Sequence, residues 1–324
     1  MAQAIGSKAQ VIFQEEAAFA TRPTTPDAKK LHIVTCDIGL AVNQISTPIL
    51  RGNRNPTRPV RGRKDVSGSI VTHLNPFQLP SFLKFLLGAV TTTDTNGAAP
   101  YTHVITIADT LPSFFLEKGF TDIGQYFQYD GCKINRASFS FRDEGFQEVT
   151  FDILGVRETV SATSFDTTPV DNGYQPFDGQ HIATIEEGGA PIGIASVAEL
   201  VVENALDDGV YVLGNSGERK YLPEGTVRVS GTLTALFENT TLYDKAVNST
   251  ETSLKIAFQK GTGDGTAGNE YLEFFVPELT YSPRSVAIEG AAGIMIELPF
   301  EAYYDNSVEA SALQITVKNT EAAI

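Results

Sequence analysis

A chain of 324 residues with 42% apolar and 19% charged side chains is a folded protein with room for two modest cores, not a disordered one. Its longest apolar-rich stretch, Phe82–Val90, is broken by Lys84 and too short to span a bilayer, and Met1–Gln10 carries no secretory apolar run. No membrane partner is therefore expected, and synthesis in a reducing cytoplasm would leave Cys36 and Cys132 as buried thiols.

In chain order, the first notable segment is a basic run, Arg51, Arg54, Arg58, Arg61, Arg63 and Lys64, with no acid before Asp65. Gly52, Pro56, Pro59 and Gly62 make it an extended arm and not a helix. Next come Val66-Ser67-Gly68-Ser69-Ile70, then a helix over Pro80–Leu87, with Pro80 in the first turn and Gly88 as its stop. Two alternating strands, Ala137–Arg142 and Val149–Ile153, flank a turn at Asp143–Gly145. Arg157–Gly189, rich in Ser, Thr, Asp, Gly and Pro, reads as a connection long enough to dock on a neighbour. Further strands are expected at Val227–Phe237, Leu254–Phe258 and Ile294–Ala302, and Pro299 places an edge or bulge in the last of these. Between the first two lies a short helix, Thr241–Val247, with Asn239 or Thr240 as its cap.

These features repeat. Val66-Ser67-Gly68-Ser69-Ile70 is answered by Val229-Ser230-Gly231-Thr232-Leu233, 163 positions on (229 − 66), and Leu50-Arg51-Gly52 by Leu213-Gly214. A half-length offset points to a tandem duplication. The expected domains are residues 1–160, which include the arm 51–64, and residues 191–324, joined by a linker at 161–190. Gly68 to Gly145 is 77 positions (145 − 68) and Gly231 to Gly293 only 62 (293 − 231), so extra loop is expected in the first half, at Thr91–Pro100 and Thr121–Asp130. Gly68 and Gly231, at matching places in strands, should mark bulges or close backbone approach.

Charge follows the same division. Residues 1–163 hold 16 Lys and Arg against 15 Asp and Glu, and residues 164–324 hold 8 against 24; the nets of +1 and −16 sum to −15. Such a polarised chain suits head-to-tail association. The basic run is open to three readings: a solvated loop, a nucleic-acid contact, or an arm clamping acidic neighbours. It has no aromatic residue to stack bases and the chain as a whole repels a polyanion, which favours the arm.

Nothing in the sequence points to catalysis, a metal or a cofactor. The histidines, His32, His73, His103 and His181, are scattered, and His32 with Cys36 makes only two ligands. Asp207-Asp208-Gly209 lacks the spaced oxygens of a calcium loop, and Gly261–Gly265 lacks the Lys and Ser or Thr of a phosphate loop. Glu186-Glu187 reads as a solvated face.

The stretch Thr47-Pro48-Ile49-Leu50-Arg51-Gly52, through Arg58-Pro59 to Gly68-Ser69-Ile70 and Pro76–Gly88, resembles the tail tube (major tail) proteins of long-tailed bacteriophages, as do Val229–Asp305 and Ser311–Val317. The resemblance implies a mainly β fold: two tandem tube-type β-sandwich or half-barrel units, each with a short flanking helix, whose inner strands join a ring-shaped β-barrel. It implies a structural subunit of the virion tail, made in the host bacterial cytoplasm, that self-assembles into stacked rings forming the conduit for DNA. A duplicated chain would make homotrimeric, pseudo-hexameric rings, with a hexamer as the alternative. Tail terminator, tape measure and tail tip proteins would be its partners, and DNA would pass through the lumen without specific binding. The competing readings are another phage module, such as a tail terminator or injection-machine tube, a β-sandwich adhesin, or an enzyme on a β-sandwich that would need a carboxylate pair in a cleft.

Overall fold

The computed structural model describes residues 3–94, 97–288 and 293–324. Strands dominate it. The first half holds β1 (Ala9–Glu15), β2 (Lys29–Leu31), β3 (Thr35–Cys36), β4 (Gly39–Ile45), β5 (Val60–His73), helix α1 (Leu79–Leu87), β6 (Gly88–Thr93), β7 (Tyr101–Ile107), β8 (Phe114–Phe120), β9 (Gln125–Phe141), β10 (Glu148–Gly155) and β11 (Arg157–Ser161). The second half holds β12 (Ile182–Glu187), β13 (Ala190–Pro191), β14 (Ala195–Glu203), β15 (Arg228–Leu236), helix α2 (Thr241–Val247), β16 (Thr252–Gln259), β17 (Tyr271–Tyr281), β18 (Met295–Ala302) and β19 (Gln314–Asn319).

Every strand pairing is antiparallel, and the two halves follow one scheme. In the first half the order β2-β1-β8-β9-β11 forms one layer and β4-β5-β10-β9 another, with β9 in both: Gln125–Tyr129 and Cys132 pair with β8, whereas Lys133, Ile134 and Arg136–Ser140 pair with β10. In the second half the corresponding orders are β13-β12-β16-β17-β19 and β14-β15-β18-β17. Two junctions join them: β14 pairs with the end of β9, and β19 pairs with β7.

Period-two alternation builds these layers. In β10 and β18 alternate residues are buried, Val149, Phe151 and Ile153 in one and Ile296, Leu298 and Phe300 in the other, while polar neighbours face water. Pro299 lies opposite Thr232 of β15, and its carbonyl accepts from Ser282 N–H at 2.7 Å. On that side β17 pairs only with Phe300–Ala302. The missing proline N–H therefore costs no ladder bond, as at an edge.

Helix α1 fills the space between the two layers of the first half. All of its residues except Lys84 are buried, and Lys84 snorkels to Glu15 at 2.7 Å. Phe82 packs edge-on to Phe13 at 4.8 Å, and Phe85 stacks on Phe114 at 4.6 Å, each buried ring contributing about 1.5–3 kcal/mol. Gly88 ends the helix at φ +101°. Helix α2 buries only Leu242 and Ala246; its start is satisfied by Asn239, whose Oδ1 accepts from Thr241 N–H at 2.9 Å, while the Thr240 side chain makes no capping bond. A second aromatic cluster crosses between the halves, with Phe274 4.9 Å from Phe139 and 5.1 Å from Phe141.

Two expectations are corrected. The extra length of the first half is a whole hairpin, β6–β7, whose tip includes the expected Thr91–Pro100 segment, with Thr95 and Asn96 outside the described residues. Thr121–Asp130 is no extra loop: it is a tight turn followed by the start of β9. The connection 161–190 is also more ordered than its composition predicts, since it contains β12. Before that strand it lies along the first half: Val170 exchanges backbone bonds with Ala28 and Lys30, and Phe177 is buried. Asp171 accepts from Lys30 and lies 2.9 Å from His32 Nε2. Burial alone would raise the Asp171 pKa, but bonds from His32, Gly173 N–H and Lys30 outweigh it and hold it at about 2.

Candidate assembly surfaces

The basic run occupies the connection between β4 and β5 and the start of β5 itself. The two strands pair from Gly39–Ser67 out to Ile45–Val60, so the segment between them projects from a two-stranded stem. The tip is closed on itself: Thr57 donates to Thr47 O at 2.9 Å, and Arg51 donates to Asn55 O at 3.1 Å and Pro56 O at 2.8 Å. Leu50 is fully exposed there.

The six cations separate into groups. Arg63 sits over the Tyr211 ring at 4.3 Å, and Lys64 pairs with Glu218 at 3.0 Å; both partners belong to the second half of the same chain. Arg51 serves the loop backbone. The side chains of Arg54, Arg58 and Arg61 are exposed and make no hydrogen bond or ion pair among the described residues.

The partners of Arg63 and Lys64 come from the long connection between β14 and β15, which folds back on the first half. Arg219, with its side chain 3% exposed, donates through Nη1 to Val66 O and Gly155 O, at 2.9 and 3.0 Å, and pairs with Asp65 at 3.1 Å. Tyr211 donates its hydroxyl to Asp65; burial first, then this bond, pushes the phenol up to about 12. Lys133 reaches Glu224 at 2.5 Å and Leu222 O at 3.2 Å. Nothing in the sequence distinguishes Arg219 from a solvated cation between Glu218 and Lys220, and so this docking is not legible there.

A second surface is the solvent face of the layer containing β5, β10, β9, β14, β15 and β18. Asp152 lies opposite Arg136, Arg136 opposite Glu203, and Glu203 opposite Arg228, which pairs with Glu301. With Glu148, Glu199 and Glu297, carboxylates outnumber cations on this face. Burial, with Asp37 nearby, raises the Asp152 pKa against the pull of Arg136. A concavity of about 470 Å³ on this face is lined by Arg136, Glu199, Arg228, Gly231 and Glu301.

Gly68 and Gly231 are both sites of close backbone approach. A Cβ on Gly68 would stand 2.4 Å from Ile38 Cα, and one on Gly231 would stand 2.1 Å from Glu199 O and 2.5 Å from Phe300 Cζ. In the first case the obstacle is the link between β3 and β4, and in the second it is β14 together with the Phe300 ring of β18.

The histidines have separate partners. His73 bonds Tyr174, His181 pairs with Asp178 at 2.7 Å, and His103 is buried between Thr92, Asn319 and Glu321. Cys132 is buried and Cys36 half-buried. Burial pushes both thiols up, so neither is an activated nucleophile.

Residues 6–302 match the model of a family described as phage tail tube protein. The chain belongs to that family. No curated protein matches the sequence. The tail tube protein is a structural, non-enzymatic component of the virion tail that self-assembles into a tube. An assembly subunit works through edges, arms and faces, which is where its polar chemistry lies.

Proposed function

We propose that this tail tube protein is a tandem pair of tube units, residues 1–160 and 191–324 joined by 161–190, and that three chains form one pseudo-hexameric ring. The observation that carries this reading is the common pairing scheme of the two halves, in which β9 of the first meets β14 of the second as one subunit of a ring would meet the next. Each half supplies four strands to the layer that would face the lumen, β4, β5, β10 and β9 or β14, β15, β18 and β17. Eight per chain gives about 24 strands in a closed barrel of three chains, without exposed sheet edges. The acid-rich face of that layer suits a lumen through which phosphates slide without being held.

Stacking would use the arm 51–64, with Arg54, Arg58 and Arg61 directed at acidic residues of a neighbouring chain's second half. Each exposed pair is worth about 0–1 kcal/mol and weakens with salt, so the contact depends on several acting together. Tail terminator, tape measure and tail tip proteins would bind the ends and lumen of the tube. Changing Arg54, Arg58 and Arg61 together to Glu should leave the subunit folded by circular dichroism while slowing or abolishing tube growth seen by negative-stain microscopy. Normal tubes from that variant at low salt would make the arm a solvated loop.

A further inference from the structure

We infer that the ring closes by pairing Pro283–Ile288 of one copy with Cys36–Ala41 of the next, in the register that sets Val286 opposite Ile38. The inference rests on the proposed ring of tandem units and is obtained by carrying the internal β9–β14 junction to the other end of the chain.

The register follows from the pairings. Gly68 lies opposite Ile153 and Gly231 opposite Phe300, so β10 maps onto β18 by 147 positions (300 − 153). Ile153 lies opposite Ile134 and Phe300 opposite Tyr281, so β9 maps onto β17 by the same 147 (281 − 134). Leu40 lies opposite Val66 and Val202 opposite Val229, so β4 maps onto β14 by 162 (202 − 40). Even an irregularity is shared: β9 skips Asn135 beside Asp152, and 147 positions on, Ser282 N–H bonds Pro299 O.

Beyond Ile134, β9 runs on to Phe141, and Arg136–Phe141 pair with Ala198–Glu203 of β14. The matching stretch, Pro283–Ile288, belongs to no strand in the single chain. Two of its three inward positions suit one, whereas Arg284, the counterpart of buried Ala137, is exposed and pairs with Glu297 at 3.2 Å in the single chain. Phe139 and Phe141 face the core, and their counterparts are Val286, already packed against the core, and Ile288, 81% exposed. Ser138 and Ser140 face solvent, and their counterparts are Ser285 and Ala287.

The receiving edge is Cys36–Ala41, the counterpart of Ala198–Glu203. It pairs with β5 on one side and with no strand of the described residues on the other. Asp37 N–H bonds Ser69 O, so Ile38 and Leu40 direct their backbone groups to the open side. In the single chain the Ile38 carbonyl already accepts from Tyr129 and Lys118, which satisfies that one group of the edge. Arg284–Leu40 then supplies a full pair of new backbone bonds, and strand addition joins the copies.

Paired cysteines test the register, because a disulfide forms only where Cα atoms come within about 4.4–6.8 Å. In a Cys36→Ser background, Gly39→Cys with Ser285→Cys places thiols directly opposite, and Gly39→Cys with Ala287→Cys places them two residues out of register. A Cβ on Gly39 meets nothing closer than 3.8 Å, so the site tolerates the change. Ala41→Cys with Pro283→Cys is the second in-register pair. After oxidation of assembled tubes, both in-register pairs should run as covalent multimers on non-reducing gels and the slipped pair as monomer. Tubes with no cross-link from either in-register pair, or with one from the slipped pair, would overturn the register while leaving the proposed ring standing. Absence of rings and tubes from the Cys36→Ser parent would overturn the ring and the register together.

Discussion

The two halves of this tail tube protein share a pairing scheme but differ in what surrounds it. The first half carries the β6–β7 hairpin, which has no counterpart among the described residues of the second, and uses it to bind β19. The connection between β4 and β5 projects into solvent, whereas that between β14 and β15 folds back and buries Arg219 against the first half. The end of β9 has a partner strand, whereas Pro283–Ile288, after β17, pair with no strand among the described residues. The scheme is therefore common, and the differences fall where one half has a covalently linked neighbour and the other does not. Unequal surroundings of a shared pairing scheme are what the proposed ring, with two nearly equivalent positions per chain, would require.

The largest loss of stability is expected at the matched glycines. Gly231→Val and Gly68→Val each force a side chain into neighbouring backbone, and both should cost more than about 3 kcal/mol or prevent folding, beyond the usual overpacking loss. Thermal denaturation of the purified variants checks this. A large loss from one and none from the other would deny the glycines an equivalent role.

A smaller effect sharpens the difference between the connections. Arg219→Ala leaves the Val66 and Gly155 carbonyls without their donor and should cost about 1–3 kcal/mol. It should also raise proteolytic cleavage within residues 204–227 to the level seen in the arm. An unchanged cleavage pattern and melting temperature would mean that the folded-back connection is held by something else.

The smallest effect concerns the hairpin unique to the first half. His103 is fully buried, and burial lowers its pKa despite bonds to Asn319 and Glu321 that favour the proton. The unfolded chain, with a histidine near pH 6.5, then binds more protons than the folded one, so this group's contribution should fall as pH drops below about 6.5. Denaturant titrations at pH 7 and pH 5 should show a smaller pH dependence in His103→Gln than in the parent. An identical pH dependence would remove His103 from the account.

Much of the fold is legible in the sequence because its local signals agree with the tertiary structure. Pro80 and Gly88 bracket a run apolar on nearly every side, and the alternation of β15, β16 and β18 is regular enough to set both strand and face. Strand β9 is less legible as one element. It passes from one layer to the other with buried residues in succession from Gln128 to Ile134, which erases the period of two. The assembly surface is legible in its charge and not in its division. Arg63 and Lys64 look like their neighbours Arg58 and Arg61 until residues some 150 positions away fold against them.

Whether one chain fills two neighbouring positions of a ring is decided by end-on averages of assembled tubes from cryo-electron microscopy. Three whole chains per ring are expected, with six similar but alternating lobes around a lumen lined by a continuous sheet. Six whole chains in one ring, each contributing one half to the wall, would contradict it.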